Sequence, residues 1–293
     1  MLTMVRIKLI VTGDMEKLAL HESLRRFFPS NRDGEDVTWD LPRRVSCATS
    51  HQLKEGHPPS RPMQQLARAM LDEVGIGKTG QPADLVVVID DVELGNLERE
   101  VVVAQHFRLA VNTCLEAHDA NTEVRYRNLL RKRCSFHLLK PMVEAYFFGD
   151  AAALQTSGVP AGTTPRLVHT TDVEQFETDD PAWLPTCHTE NSQRQRRSTP
   201  WWQHERHSKH YLEHLTARGG VFYDETFSGR HALKGLSWTQ VPKSPADAPI
   251  VRSLFEDIAD WFGILSPLGR GLSDPQFYPA QSVDRARLLL RNM

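Results

Sequence analysis

The sequence is short of paired cysteines, long apolar runs and a dominant sign of charge, and each lack narrows what the protein can be. Its 4 cysteines, Cys47, Cys114, Cys134 and Cys187, lie far apart. That spacing argues against a zinc ribbon and against a disulfide framework. No apolar stretch approaches the ~18 residues of a membrane-spanning helix. The start, Met1-Leu2-Thr3-Met4-Val5-Arg6-Ile7, lacks the basic and then apolar pattern of a secretion signal. A soluble, cytoplasmic chain with no membrane partner is therefore expected. Lys and Arg number 35 against 37 Asp and Glu, a formal net charge of −2. Such a chain is no general magnet for polyanions, so any nucleic-acid site must be local or metal-assisted.

What is present suits a globular chain. With 293 residues and 40% hydrophobic content, it can bury a sizeable core without staples. The run Val5 to Thr12 predicts a buried strand closed by Gly13, with Asp14 as the N-cap of a helix from Met15 to Phe28 that Pro29 ends. A polar, turn-rich stretch follows (30–36), then a short strand near Arg44 to Ala48 and a helix from Arg61 to Val74. Asp84-Leu85-Val86-Val87-Val88-Ile89-Asp90 has the unbroken apolar character of a central strand covered on both faces. A helix over Leu97 to Glu116, a strand over Cys134 to Leu139 and a helix from Met142 to Asp150 behind Pro141 complete the series.

This alternation predicts an α/β fold: an open, mainly parallel sheet with helices on both faces, whose ligands bind beyond the carboxyl ends of the strands. The expected organisation is an α/β domain over 1–157, an irregular insertion over 158–200 that is poor in aliphatics, and a mainly helical C-terminal part over 201–293 packing on the first. Helices are expected near His204 to Arg218 and Ala248 to Phe262.

Chemistry concentrates at the strand ends. Asp90, Asp91 and Glu93 would repel one another at the end of a buried strand unless a hard cation sat between them, and an oxygen-rich site suits Mg²⁺ or Mn²⁺. Such an ion orients a phosphodiester and neutralises its developing charge. The plainer alternative is that Asp91 and Glu93 open the solvated turn into the next helix. The turn Val11-Thr12-Gly13-Asp14-Met15-Glu16 faces the same sheet edge and favours the metal. Glu144, in the apolar setting Pro-Met-Val-Glu-Ala-Tyr-Phe-Phe, needs a partner: either the site or an ion pair with Lys140 or Arg133.

Three stretches together resemble TOPRIM-like families of unknown function found in bacterial defence and mobile-element loci. They are the opening strand with Gly13-x-x-Glu16, the strand Asp84 to Asp90 with Asp91-x-Glu93, and His137-Leu-Leu-Lys-Pro-Met-Val-Glu144-Ala-Tyr-Phe-Phe-Gly-Asp150. Glu205 to Leu212, Phe222-Tyr223 and the late helix with Phe255, Trp261 and Phe262 resemble the later part of those families. The resemblance implies a TOPRIM fold and Mg²⁺-dependent cleavage of nucleic acid, with Glu16, Asp90 and Glu144 catalytic and Asp90, Asp91 and Glu93 holding the metal. It further implies an ATPase partner and a place in anti-phage defence. Thr12 stands where the typical motif has Glu, so a binding or assembly subunit of impaired catalysis is the alternative. Homo-oligomerisation stays open.

Other motifs weigh less. Gly75-Ile-Gly77-Lys78-Thr79 has the tail of a phosphate-binding P-loop but lies between a helix and a strand in the wrong order, so a turn is expected. His204, His207 and His210 recur every third residue, which drifts around a helix and makes zinc a minor alternative. Arg194, Arg196, Arg197, Arg206 and Lys209 offer charge, and Trp201 and Trp202 offer stacking faces, for nucleic-acid contact. The bland alternative there is a solvated helix face.

Overall fold

The computed structural model describes residues 4–76, 81–185, 189, 204–278 and 287–293. It is α/β, with a 6-stranded mixed sheet of mostly parallel strands. The strands are β1 (Val5–Val11), β2 (Asn31–Arg32), β3 (Glu35–Trp39), β4 (Arg43–Arg44), β5 (Leu85–Asp91) and β6 (Cys134–Leu139), in the order β2-β3-β1-β5-β6 with β4 beside β1. β1 and β5 run parallel from Ile7↔Leu85 to Val11↔Ile89, and β5 and β6 from Val86↔Cys134 to Asp91↔Leu139. That register brings Thr12, Asp91 and Lys140 out at one sheet edge.

The strands are buried because their side chains serve both faces, as period-two alternation requires. Ile7, Leu9, Val11, Leu85, Val87 and Ile89 enter one core, and Ile10, Val86, Val88, Phe136 and Leu138 enter the other. The second core is closed by α2 (Arg61–Glu73), α3 (Glu100–Leu115) and α4 (Ala120–Arg133). The first is closed by α1 (Asp14–Arg25), α5 (Ala151–Thr156) and three helices from the last third of the chain: α6 (Ser208–Ala217), α7 (Arg230–Gly235) and α8 (Pro249–Phe262). Trp238 donates its indole N–H to Ser23 of α1 at 2.9 Å, and Phe28 stacks on Phe255 with centroids 5.6 Å apart. Glu174 accepts from the backbone N–H groups of Ile250 and Val251, and so occupies the N-terminus of α8.

Several local expectations are corrected. The stretch 30–36 holds a β-hairpin whose turn, Asp33-Gly34, has both residues at positive φ, the geometry of a tight two-residue turn. The helix after β1 begins at Asp14 itself, with Gly13 as an N-cap that offers no side chain, and ends at Arg25. A 3-10 turn (Leu94–Asn96) precedes α3. The expected helix over Met142 to Asp150 is a 3-10 segment, Val143–Gly149, followed by α5. The tail after residue 287 is bound in place. Asn292 accepts from the Phe136 N–H and donates to the Phe136 carbonyl, capping the exposed edge of β6. Arg291 pairs with Asp257 at 3.2 Å. Among the described residues, no helix is long and apolar enough to cross a membrane.

Candidate functional site

At the carboxyl edge of β1, β5 and β6 lies a pocket of about 310 Å³, lined by Thr12, Gly13, Glu16, Cys47, Asp91, Glu93, Glu144, Lys209 and Glu225, among others. The lining carboxylates arrive from four stretches of chain, with Asp91 and Glu93 sharing one. Glu16 sits in the first turn of α1 and is 5% exposed. It folds back over the preceding turn, where a Cβ on Gly13 would collide with its carboxylate, so any larger residue there must displace the Glu16 side chain. Asp91 ends β5. Glu93 follows at φ 60°, ψ 156°, a conformation that L-residues rarely adopt, with its N–H bonded to the Pro141 carbonyl. Glu144, 4% exposed, hangs from the 3-10 segment after β6 and accepts from the Tyr223 hydroxyl at 3.3 Å.

The two adjacent aspartates part company. Strand alternation turns Asp90 away from the pocket, and its carboxylate accepts from the Thr12 hydroxyl (2.6 Å), the Ala48 N–H (3.2 Å) and the Asp91 N–H (3.0 Å). Asp90 therefore ties β1, the loop after β4 and β5 together. Asp91 turns toward the pocket, and its Oδ1 is buried without a hydrogen-bond partner. Thr49 donates to the Asp91 carbonyl at 2.6 Å, and Asn96 grips the same loop through the Thr49 and His51 carbonyls and the Leu53 N–H. The strand end is thus held rigidly from below.

The electrostatics follow from burial and crowding. Burial lifts Glu16 to about 7, and the Glu225, Asp90 and Glu93 carboxylates add to the lift against its own backbone N–H. Burial, then Glu16, Glu93 and Glu144, pushes Asp91 well above the usual carboxylate range. Burial and Asp90 bring Glu93 to about 7. Burial takes Glu144 to about 8 against the pull of Lys209. Burial also raises Asp90, to about 6, and there the Thr12, Ala48 and Asp91 donors oppose it. Burial pushes the Cys47 thiol up as well, so it remains un-ionised at neutral pH and is no nucleophile.

The last third of the chain closes the pocket. Lys209, in the first turn of α6, pairs with Glu225, which opens a short π-helical turn (Glu225–Gly229). Gly229 lies where a Cβ would press on the Tyr223 hydroxyl and the Met15 sulfur. His207 caps α6 by accepting from the His210 N–H, and the two rings stack 3.6 Å apart on the pocket wall.

Of the residues singled out in the sequence, Glu16, Asp91, Glu93, Glu144 and Lys209 meet in this pocket, while Asp90 lies behind it. The anticipated ion-pair partners of Glu144 are engaged elsewhere. Lys140 bridges Glu100 (2.8 Å) and Glu98 (3.2 Å), and Arg133 faces Asp84. Arg206 joins the same cluster through Glu98 and does not line the pocket. Arg194, Arg196, Arg197, Trp201 and Trp202 lie outside the described residues, as does Lys78. Glu225 carries no signal in the sequence, since its place depends on the last third of the chain returning to a pocket that Glu144 already lines; Tyr223 enters the sequence analysis only through the resemblance. Among the described residues, no three His, Cys, Asp or Glu side chains are gathered as a ready-made metal-holding group.

Comparison of the chain with protein-family models, curated proteins and solved structures finds no match.

Proposed function

We propose that the chain is a Mg²⁺- or Mn²⁺-dependent phosphodiester-cleaving subunit with a TOPRIM-like fold, acting on nucleic acid. The observation that carries this reading is the convergence of Glu16, Asp91, Glu93 and Glu144, from three stretches of the chain, on one pocket at the carboxyl edge of a mostly parallel sheet. Sheets of this kind bind ligands at that edge. The donor set is rich in carboxylate oxygen, Asp91 Oδ1 has no partner, and Glu16 is buried. Such groups suit a hard divalent cation. Glu16, Asp91, Glu93 and Glu144 would hold it, and its charge would offset that of a phosphodiester and of the transition state.

The chain's own groups divide the remaining work. Asp90, locked by Thr12 and Ala48, orients the strand end that carries Asp91. Glu16, buried in the first turn of α1 and lining the pocket, is the carboxylate suited to accept a proton from an attacking water. Lys209 offers a cationic contact for a phosphate oxygen. The family resemblance adds an ATPase partner and a role in anti-phage defence to the proposal.

A second reading, a non-catalytic binding or assembly subunit, draws on Thr12. Its hydroxyl is committed to Asp90, and β1 itself presents no carboxylate to the pocket. Cleavage of single- and double-stranded oligonucleotides with Mg²⁺ or Mn²⁺, by the full chain with its ATPase partner present, separates the two. The nuclease reading expects cleavage that Asp91→Asn and Glu16→Gln abolish. Intact substrate throughout, or cleavage that survives in both variants, would overturn it.

A further inference from the structure

Among the described residues lining the pocket, Lys209 is the one lysine or arginine. It stands at the start of α6, lines the pocket beside Glu93 and Glu144, and pairs with Glu225. Its charge is felt by Glu93 and Glu144 as well, since it opposes the lift that burial imposes on both. A lysine ammonium on a four-carbon stem is a movable point charge, unlike the rigid fork of an arginine.

Resting on the metal-dependent reading above, we infer that Lys209 is the built-in counter-ion of this carboxylate set. It neutralises the set while no divalent cation is present, then exchanges Glu225 for a phosphate oxygen once one has entered. Two consequences follow from charge alone. An internal cation competes with an entering one, so its removal strengthens metal binding. The same lysine, displaced toward the substrate, strengthens the binding of an oxyanion, so its removal weakens that step. A merely structural Lys209–Glu225 pair does not predict the first change, because its loss would loosen the pocket and weaken metal and anion alike.

Calorimetric titration of the full-length protein at pH 8 tests this, first with MnCl₂ alone and then with inorganic phosphate added to the Mn²⁺-loaded protein. Lys209→Met is expected to bind Mn²⁺ about tenfold more tightly than the wild type and to bind phosphate about tenfold more weakly. Lys209→Arg keeps the charge and should stay near wild type in the Mn²⁺ titration. Lys209→Gln repeats the measurement with a neutral polar side chain in case the apolar variant folds poorly. Mn²⁺ affinity in Lys209→Met and Lys209→Gln that equals or falls below wild type overturns the counter-ion role and leaves the metal site standing. Tighter Mn²⁺ binding with unchanged phosphate binding overturns the exchange. A wild type and variants that all ignore Mn²⁺ overturn the inference and the metal-dependent reading together.

Discussion

Glu144→Gln in metal-free buffer provides a direct measure of how strained the carboxylate pocket is. Glu144 moves from an ordinary value of 4.5 to about 8, chiefly through burial. Between those two values the folded chain keeps a proton that the unfolded chain has released, so stability must fall as pH rises. Each pH unit in that window costs about 1.4 kcal/mol for one retained proton. From pH 5 to pH 7.5 the wild type should therefore lose roughly 3 kcal/mol through Glu144. Asp257 does not mask the effect: it is held down to about 2, so its contribution is lost only in more acidic solution. Glutamine has the same shape and no titration, so the variant should show a flatter pH dependence and be the more stable protein at pH 7.5. Urea denaturation at intervals from pH 5 to pH 7.5, in the presence of a chelator, reads both quantities. Wild-type stability that rises over this range, or an equal slope in Glu144→Gln, would show that Glu144 is ionised in the fold and refute the reasoning.

The remaining expectations concern the groups that shape the pocket. Thr12→Val leaves Asp90 without its hydroxyl donor and should cost about 1–3 kcal/mol by chemical denaturation. Thr12→Glu should destabilise the protein further, because it drives a second carboxylate against buried Asp90. Gly13→Ala has no backbone penalty at φ −97° but displaces the Glu16 carboxylate; Mn²⁺ affinity measured by calorimetry should fall several-fold with little loss of thermal stability. Glu93→Gly should be more stable than Glu93→Ala by about 1–2 kcal/mol, since only glycine adopts the φ 60°, ψ 156° backbone without strain.

The legible parts of the fold were those where burial writes a clear period into the sequence. β5 and β6 are buried over nearly their whole length, and α2 and α8 carry apolar stripes, so their limits could be placed within a residue or two. α4 escaped notice because Leu130 is its one buried residue, and a helix that packs through so little leaves no stripe to read. The β2–β3 hairpin was lost for a different reason. Its strands are mostly half-exposed and short, and the Asp33-Gly34 signal was absorbed into a loop. The segment after Pro141 reads as a helix because proline suits a first helical position, yet Val143, Glu144, Ala145, Tyr146 and Phe147 are all buried, and a run buried on every side has no amphipathic face to mark its pitch.

At the site the division is sharper. Carboxylates at strand ends are visible in sequence because topology places every such end at one edge. Which of two neighbours faces the pocket is a matter of strand parity, which the unbroken apolar run before Asp90 hides. Asp90 belongs to the face of Val86 and Val88, Asp91 to that of Val87 and Ile89. The first therefore goes to scaffolding and the second to the pocket. Parity also explains how Thr12 and an acidic strand end fit together. A threonine there supplies the donor that a buried Asp90 needs, whereas a glutamate would add a charge where one already lacks solvent. The carboxylate that the strand forgoes is returned one helical turn later by Glu16, which reaches the pocket only because Gly13 leaves room for it. Thr12, Gly13 and Glu16 thus form one arrangement, in which the identity of each depends on the others.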